Sequence, residues 1–405
     1  MIVRLDDMAH GGAAVGRHEG KVVFVPYGIP GELARVEMVK DKGRYAHARL
    51  VEILEPSPER VEPPCPYFGR CGGCHWQHVA YEAQLRYKQA IIRSQLERIS
   101  GLPSVSVSAP MGMSEPWRYR NHMQFGARPD GRLGLIASGG HRIVPIEHCL
   151  LMHPLLADVF DSIDIDVPDL LRVSLRAGVH TGEQMVVLEM ADDLVPDIEI
   201  DLPVSCVLLL ADGTPLTLVG YPYVHERLSD LTLRVSATSF FQVNSVQAES
   251  LVTLVSAYLD PAPGSTLVDA YCGVGTLSLG LAPKVEQLIG VDTSATAIAD
   301  AQKNAEGIRN AQFFCGRLPE VAAILTDEEL SVVVDPPRSG LDKETFSALV
   351  DLKPSRIVYV SCDPATLARD IRRLTESCYR LCRVQPVDMF PQTYHIESVA
   401  LLDRV

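Results

Sequence analysis

The sequence predicts an α/β protein whose C-terminal part forms a largely parallel sheet covered by helices. From about residue 245 onward, short apolar runs alternate with helix-length segments, which is typical of such a sheet. The expected strands are Thr266–Ala270, Gln287–Asp292, Leu330–Asp335 and Arg356–Ser361. Upstream, residues 104–235 are rich in strand patterns broken by Pro and Gly, and residues 1–55 hold several short strands between turns.

The N-terminal strands are short and closely spaced, which indicates a small barrel of the OB type. A Pro-rich linker follows, and then a helix is expected over Tyr81–Ile99, because its apolar residues recur at helical spacing. The expected domains are 1–57, a small barrel; 58–235, a central strand-rich domain; and 236–405, the α/β domain.

Composition excludes several classes of protein. The chain has 405 residues, of which 47% are hydrophobic and 22% charged, so global disorder is not expected and two or three domains are. No apolar run approaches the roughly 20 residues of a membrane span. Arg4, Asp6 and Asp7 occupy positions where a signal peptide would be apolar, so we expect a cytoplasmic protein that does not enter a membrane.

The net charge of −14 argues against a simple nucleic-acid binder, but the charge is unevenly distributed. Residues 66–150 contain ten basic residues (Lys or Arg) and five acidic residues (Asp or Glu). Residues 151–240 contain four basic and fifteen acidic residues. Attraction for phosphate depends on local basic density. A nucleic-acid surface is therefore expected on 66–150, and an ordinary solvated face is the alternative.

Four of the ten cysteines form a pattern typical of a metal site. Cys65, Cys71 and Cys74 lie in or beside a Gly-rich loop, and Cys149 follows far along the chain. Glycines let backbone amides approach the sulfurs of a cluster. Four thiolates can bind either a zinc ion or an iron–sulfur cluster, and the spacing does not decide between them. The remaining alternative is four unligated thiols.

A glycine turn after the first expected α/β strand predicts a cofactor site. Gly273 and Gly275 allow close approach of a ligand to the backbone, and Asp292 ends the next strand, where a carboxylate can accept hydrogen bonds from both ribose hydroxyls. Ser278 replaces the third glycine of the dinucleotide fingerprint. The turn therefore suits S-adenosylmethionine, which has no pyrophosphate, better than NAD.

Reactive side chains follow two neighbouring strands. Asp335 begins a Pro-stiffened Asp-Pro-Pro-Arg run, and Cys362 follows the next strand in Ser-Cys-Asp-Pro. Strand carboxyl ends face the ligand crevice of an open sheet, so Cys362 is a candidate nucleophile and otherwise a small buried hydrophobe. Glu397 precedes the last apolar strand and could act there as a base, or be a solvated carboxylate.

Taken together, the chain resembles the RNA uracil-5-methyltransferase family, whose members methylate C5 of uridine in 23S rRNA or tRNA. The resemblance rests on five ordered segments: Phe240–Asn244, Asp269–Thr276, the run at Asp335, the run at Cys362 and the His-Ile-Glu that ends at Glu397. It covers essentially the whole chain. It implies a TRAM barrel, a central domain with a 4Fe-4S cluster and a class I Rossmann-like methyltransferase domain, in a protein we expect to be a monomer.

The resemblance also implies roles for single residues. It makes Cys362 the nucleophile, Glu397 the base and Phe240 a platform for the extruded base. The implied S-adenosylmethionine contacts are Gln242, Tyr271, Asp292 and Asp335, and the implied cluster ligands are Cys65, Cys71, Cys74 and Cys149. Arg118, Arg120 and His122 are candidate RNA contacts. We expect 23S rRNA as the substrate, with tRNA as the alternative.

Two other classes remain as alternatives. RNA cytosine-5-methyltransferases use the same thiol addition but carry a second cysteine after their Asp-x-Pro motif, where this chain has Pro337-Arg338. A non-catalytic RNA-binding iron–sulfur protein would have no need of Cys362, Glu397 and Asp335 together.

Overall fold

The computed structural model describes residues 1–103, 105–163, 167, 169–196, 198–323, 325 and 329–405. Its N-terminal strands close into a barrel in the order β1-β2-β3-β5-β4. The strands are β1 Ile2–Met8, β2 Ala14–His18, β3 Lys21–Val25, β4 Leu33–Asp41 and β5 Tyr45–Glu55. Alternate residues such as Val3, Leu5 and Val23 face the barrel interior, as period-2 patterning requires. The barrel expected from the sequence is confirmed.

Helix α1 (Tyr81–Gln95) follows the barrel and continues as a π-helical turn over Leu96–Ser100. It ends at Gly101, whose φ of +72° is the usual left-handed helix stop. The helix expected over Tyr81–Ile99 is therefore present, but its last turn is not α-helical.

A seven-stranded sheet forms the middle of the chain, in the order β12-β11-β10-β9-β6-β7-β8. Its elements are β6 His122–Ala127, β7 Leu133–Ile136, β8 Ile143–Pro145, α2 Pro154–Ser162, β9 Leu170–Ala177, β10 Gln184–Met190, β11 Ser205–Leu209 and β12 Pro215–Val219. A separate hairpin follows, with β13 Tyr223–Leu228 and β14 Leu231–Ser236. This agrees with the strand-rich character expected for residues 104–235.

The C-terminal part forms a second seven-stranded sheet, in the order β17-β16-β15-β18-β19-β21-β20. Its elements are α3 Ser245–Leu259, β15 Thr266–Asp269, β16 Gln287–Asp292, α4 Ala295–Asn304, β17 Ala311–Cys315, α5 Leu318–Ala322, β18 Leu330–Val334, α6 Lys343–Leu352, β19 Arg356–Ser361, α7 Pro364–Thr375, β20 Tyr379–Val387 and β21 Glu397–Arg404. A 3-10 helix covers Leu279–Lys284. The four expected strands are confirmed, and all of β18 is buried, as central parallel strands are.

The strand directions bring several chain ends to one edge. β15, β16, β18 and β19 run parallel, so their carboxyl ends share an edge that we call the carboxyl rim. β21 runs antiparallel to β19, and Ser361 pairs with Ser398. The start of β21 therefore lies at the carboxyl rim beside the end of β19.

The segment around α1 packs against this C-terminal sheet although it precedes the central sheet in the chain. Trp76, Ile91 and Ile92 share a core with Val332 and Ile357. Residues 107–111 lie along the edge of this sheet beside β20, where the Ser108 N–H donates to the Val384 carbonyl at 2.9 Å. Within the described residues no helix is long and apolar enough to cross a bilayer.

Candidate active site and cysteine cavity

Cys362 lies at a sharp turn from strand to helix. It follows β19 directly, and Asp363 then caps α7 by accepting hydrogen bonds from the N–H groups of Ala365 and Thr366, both at 2.9 Å. Pro364 occupies the first helical position, which suits its fixed φ and missing N–H. The turn leaves the Cys362 thiol half-buried at the carboxyl rim.

Glu397 is the first residue of β21 and stands next to Cys362 across the two strands. Its side chain is buried, and its Oε1 has no hydrogen-bond partner among the described residues. Burial, with added repulsion from Asp335, raises the pKa of Glu397 well above its ordinary value, while Arg338 opposes the increase. The structure therefore brings together the expected nucleophile and the expected base.

Two further carboxyl groups lie at the same rim. Burial raises the pKa of Asp269 to about 7, although the Ser278 hydroxyl and the Tyr271 N–H oppose the increase. Desolvation and repulsion by Asp269 raise the pKa of Asp335 to about 7 as well. Arg338, in the same loop as Asp335, is the nearby cation, and its guanidinium donates to His395 Nδ1 at 3.4 Å. The sequence reasoning gave Arg338 no role, although it belongs to the Asp-Pro-Pro-Arg run.

The environment of Cys362 predicts a steep pH dependence of its reactivity. Burial, with repulsion from Glu397 and Asp335, raises the pKa of Cys362 to about 12. Because the thiolate is the reactive form, alkylation of Cys362 by iodoacetamide in the free enzyme should accelerate about tenfold per pH unit between about pH 7 and 9. Peptide mass spectrometry measures this rate, and a rate that levels off below pH 8 would contradict the expectation.

The glycine turn after β15 leaves open space where the sequence predicts a cofactor site. Gly273 has a φ of +52°, and a Cβ placed on it would meet no atom within 4 Å, so the space above the turn is free. Asp292 stands beside the turn, with its carboxylate accepting hydrogen bonds from the N–H of Gly273 at 3.0 Å and of Ser294 at 2.8 Å. These bonds orient the carboxylate at the end of β16.

Of the other expected contact residues, Tyr271 belongs to the glycine turn, whereas Gln242 and Phe240 lie in the loop before α3. Tyr271 is in the same turn and half-buried, and burial raises its pKa. Gln242 is buried in the loop before α3, where its carbonyl accepts from the Asn121 side chain at 3.0 Å. Phe240 is 69% exposed, and the structure places its ring at the cavity that holds the cysteines.

All four expected cysteine ligands line one cavity of about 600 Å³, together with Arg120 and Phe240. Gly73 donates its N–H to Cys71 Sγ at 3.4 Å. Burial raises the pKa of the Cys74 thiol to about 12, and Cys149 and Cys71 add repulsion. Within the described ranges, no three His, Cys, Asp or Glu side chains gather closely enough to hold a single metal ion.

Two of the three candidate RNA contacts in the basic segment are half-buried. Arg120 and His122 were candidate RNA contacts, but both are turned into the cysteine cavity, and burial lowers the pKa of His122 to about 3. Arg120 Nε has no hydrogen-bond partner within the described residues. His78, in the same part of the chain, is buried among aromatic rings. Only Arg118 of the three candidate contacts is exposed.

The loop between β1 and β2 reaches the active site from the barrel, which sequence reasoning missed. His10 Nε2 lies 3.5 Å from Asp363 Oδ2, next to Cys362. Gly12 packs so tightly on Tyr394 that an added Cβ would lie 2.7 Å from the Tyr394 Cβ. Trp76 Nε1 donates to the Gly12 carbonyl at 3.0 Å. No local sequence signal could have found these contacts, because they join segments far apart in the chain.

Comparison with known proteins agrees with this architecture. A family model described as tRNA (uracil-5-)-methyltransferase matches residues 217–315 and 317–405, and a TRAM domain model matches residues 2–51. A relative from Halalkalibacterium halodurans, named as an RNA methyltransferase, is 37% identical over 99% of this chain and 96% of its own length. The chain belongs to the RNA uracil-5-methyltransferase family.

Further comparisons extend this RNA uracil-5-methyltransferase assignment along the whole chain. An RNA methyltransferase from Thermosynechococcus vestitus is 35% identical over 99% of this chain and 97% of its own length. Among solved structures, the Pyrococcus abyssi tRNA (uracil-54, C5)-methyltransferase in complex with S-adenosyl-L-homocysteine superimposes with a TM-score of 0.78. The two are 29% identical, and the match covers 99% of this chain and 100% of the other.

Proposed function

We propose that this enzyme transfers a methyl group from S-adenosylmethionine to C5 of a uridine in structured RNA by covalent catalysis. The observation that carries the proposal is the pairing of the half-buried Cys362 thiol with the buried Glu397 carboxyl across β19 and β21. 23S rRNA is the first candidate substrate, as expected from the sequence resemblance. tRNA is the second, favoured by the substrate named for the solved Pyrococcus relative.

Cys362 acts first in the proposed mechanism. C5 of uracil is a poor nucleophile, so the Cys362 thiolate attacks C6 and the C5–C6 double-bond electrons move to the O4 carbonyl. The resulting enolate carries carbanion character at C5. When bound, S-adenosylmethionine supplies an electrophilic methyl group, and transfer of that group to C5 leaves S-adenosylhomocysteine.

Glu397 completes the reaction. Its carboxylate removes the proton from C5, the C5–C6 double bond re-forms, and the Cys362 thiolate leaves C6. The net change converts uridine and S-adenosylmethionine into 5-methyluridine, S-adenosylhomocysteine and a proton. A buried carboxyl with a raised pKa holds such a proton well, and the neighbouring Arg338 favours the charged form before transfer.

The residues at the glycine turn fit S-adenosylmethionine. Asp292 would accept hydrogen bonds from the ribose hydroxyls, because the free space above Gly273 adjoins its carboxylate. Asp335 and Asp269 would provide negative charge for a positive sulfonium, because a bound cation favours the ionised form of both carboxyl groups. Tyr271 and Gln242 complete the proposed set of contacts.

The barrel offers a surface that suits flanking single-stranded RNA. Phe24, Tyr45 and His47 form a cluster on its outer face, with ring centroids 5.6–5.8 Å apart. Three exposed basic residues lie in the adjoining end of β4 and its turn: Lys40, Lys42 and Arg44. Aromatic rings beside basic side chains are the usual platform for stacked bases and their phosphates. Extrusion of the target uridine then allows Cys362 to reach C6.

The cysteine cavity fits an iron–sulfur cluster better than zinc. A zinc ion needs its ligands around one point, about 2.3 Å from each sulfur, whereas the ligands of a 4Fe-4S cluster need only surround a shared volume. Cys65, Cys71, Cys74 and Cys149 surround such a volume. The unpartnered Arg120 Nε faces the same space and supplies positive charge for thiolates.

The substrate proposal is tested by mapping 5-methyluridine in RNA from cells with and without this protein. A uridine that loses its methyl group in the deletion strain, and regains it when purified enzyme and S-adenosylmethionine are added to that RNA, supports the proposal. Loss at a site in 23S rRNA selects the first candidate, and loss in tRNA selects the second. Unchanged 5-methyluridine in both RNAs would overturn the assignment.

The proposed cluster gives a separate prediction about the iron content of the protein. Protein purified without oxygen is expected to be brown and to contain about four irons per chain. Cys74→Ser should lose most of that iron, whereas the control Cys382→Ser, at the far edge strand β20, should retain it. Metal analysis and the visible spectrum measure both. Stoichiometric zinc without iron would show that the cluster proposal is wrong.

A further inference from the structure

The nine-residue link between β20 and β21, residues 388–396, leads directly into Glu397, and six of its residues are buried and three half-buried. We propose that Gln84, on α1, is a positioning residue that holds this link and thereby places Glu397 for removal of the C5 proton. The inference rests on the proposed function, because it gives Glu397 the role of base.

Four consecutive carbonyls of the link accept hydrogen bonds from outside it. The Met389 carbonyl accepts from the Asn244 side chain at 3.2 Å, and the Phe390 carbonyl from Lys88 Nζ at 3.1 Å. The Pro391 carbonyl accepts from the Tyr119 hydroxyl at 3.0 Å. The Gln392 carbonyl accepts from the N–H groups of His75 and Trp76, both at 3.0 Å. The backbone path of the link is therefore set by neighbouring segments.

Gln84 makes the most specific of these contacts. Its Nε2 donates to Gln392 Oε1 at 3.0 Å, and its Oε1 accepts from the Gln392 N–H at 3.1 Å. The same Nε2 lies within bonding distance of the Trp76 and Val79 carbonyls, at 3.1 and 2.9 Å. Gln84 is fully buried, so these groups have no water to replace it.

Gln392 needs such support because its backbone is in the left-handed region, with a φ of +67°. A residue with a Cβ adopts this conformation only when its surroundings over-determine it. The reciprocal amide pair with Gln84 supplies that constraint at the centre of the link. Without it, the local backbone would relax toward negative φ and the chain leading to Glu397 would shift.

The same helix face anchors the start of the link. Tyr81, Gln84 and Lys88 are spaced by three and four residues, so they project from one side of α1. Lys88 Nζ pairs with Asp388 Oδ1 at 2.5 Å, and the Tyr81 hydroxyl donates to Asp388 Oδ2 at 2.8 Å. One face of α1 therefore binds the link at two points, Asp388 and Gln392.

Glu397 lies where this path rejoins the sheet: its backbone pairs with Val387 of β20, whereas its carboxyl Oε1 has no partner among the described residues. The position of the carboxyl group is therefore determined by the backbone on either side of Glu397, of which the link forms one side, and by packing at Ile396. A displacement of about 1 Å in a catalytic group can lower a rate by roughly 10²-fold. Loosening the link should therefore affect proton removal more than thiolate addition or methyl transfer, which depend on Cys362.

The test uses Gln84→Met, which keeps side-chain volume and removes both halves of the amide pair. With uridine RNA and S-adenosylmethionine, we expect a first turnover within a few-fold of the parent enzyme and a steady-state rate lowered roughly 10- to 100-fold. Rapid-quench measurement of S-adenosylhomocysteine gives both rates. An SDS-stable protein–RNA adduct should accumulate, because the methylated intermediate waits for loss of its proton.

The matched control is Gln89→Met, which removes one hydrogen bond from the same helix, to the Val107 carbonyl, and should behave as the parent. Gln392→Ala keeps a Cβ on the strained positive-φ backbone but loses the side-chain acceptor of the amide pair, so it should accumulate adduct. It tests the positioning role by itself if Gln84→Met does not fold. Equal loss of both rates, or no difference from Gln89→Met, overturns the positioning role. Absence of adduct in Glu397→Gln instead overturns the base assignment, and this inference with it.

Discussion

Replacement of Cys362 by alanine is expected to lower methylation by on the order of 10⁴-fold or more, because it removes the proposed thiolate that adds to C6 of uracil. The same change should abolish the covalent complex with RNA that carries 5-fluorouridine at the target. Fluorine replaces the proton that must leave C5, so the parent enzyme stalls as an SDS-stable adduct. Gel mobility of the protein–RNA complex after denaturation measures this directly.

A control is available in the same sheet. Cys378 is exposed and lies just before β20, at the end of that strand opposite the active site, so Cys378→Ala should retain both activity and adduct. Cys362→Ala should also keep the affinity for S-adenosylmethionine, since the thiol is no part of the glycine turn. An adduct that persists in Cys362→Ala would show that another residue is the nucleophile.

Glu397→Gln is expected to lower turnover by about 10²–10⁴-fold and to trap the enzyme on ordinary RNA. The amide cannot take the C5 proton, whereas addition by Cys362 and methyl transfer still proceed. One equivalent of S-adenosylhomocysteine should therefore form quickly and be followed by little more. The trapped species should contain a methyl group, which mass spectrometry of the digested complex detects.

The substitution should not weaken the fold. Glu397 is buried with an unpartnered oxygen, and burial raises its pKa, so the carboxyl destabilises the folded state when it is charged. Replacing it with a neutral amide should leave thermal unfolding unchanged or slightly raise its midpoint at neutral pH. Fast, repeated turnover in Glu397→Gln would exclude it as the base.

The arrangement of the reacting groups could be predicted from the sequence because it follows from strand direction. Asp335 and Cys362 both come directly after apolar runs, and parallel strands bring such positions to one edge. Glu397 reaches the same edge from an antiparallel last strand. These relations need only local pattern and topology, which is why the expected nucleophile and base lie side by side.

The supporting contacts could not be predicted, because they join segments distant in the chain. Gln84 and Gln392 are 308 residues apart, and a glutamine in a helix pattern carries no signal of a partner. Arg120 shows the converse problem. Its charge suggested an exposed RNA contact, but the cysteine cavity provides the compensating groups that allow an arginine to face inward. Such compensation is visible only in three dimensions.

The close packing of Gly12 on Tyr394 has an evolutionary consequence. Because residue 12 has no room for a Cβ, the barrel and the C-terminal sheet fit closely at this contact. A substitution on one side of the contact therefore requires a compensating substitution on the other side. Grafting a barrel from a distant homologue should therefore succeed only when residues 9–13 and 390–396 are transplanted as one set.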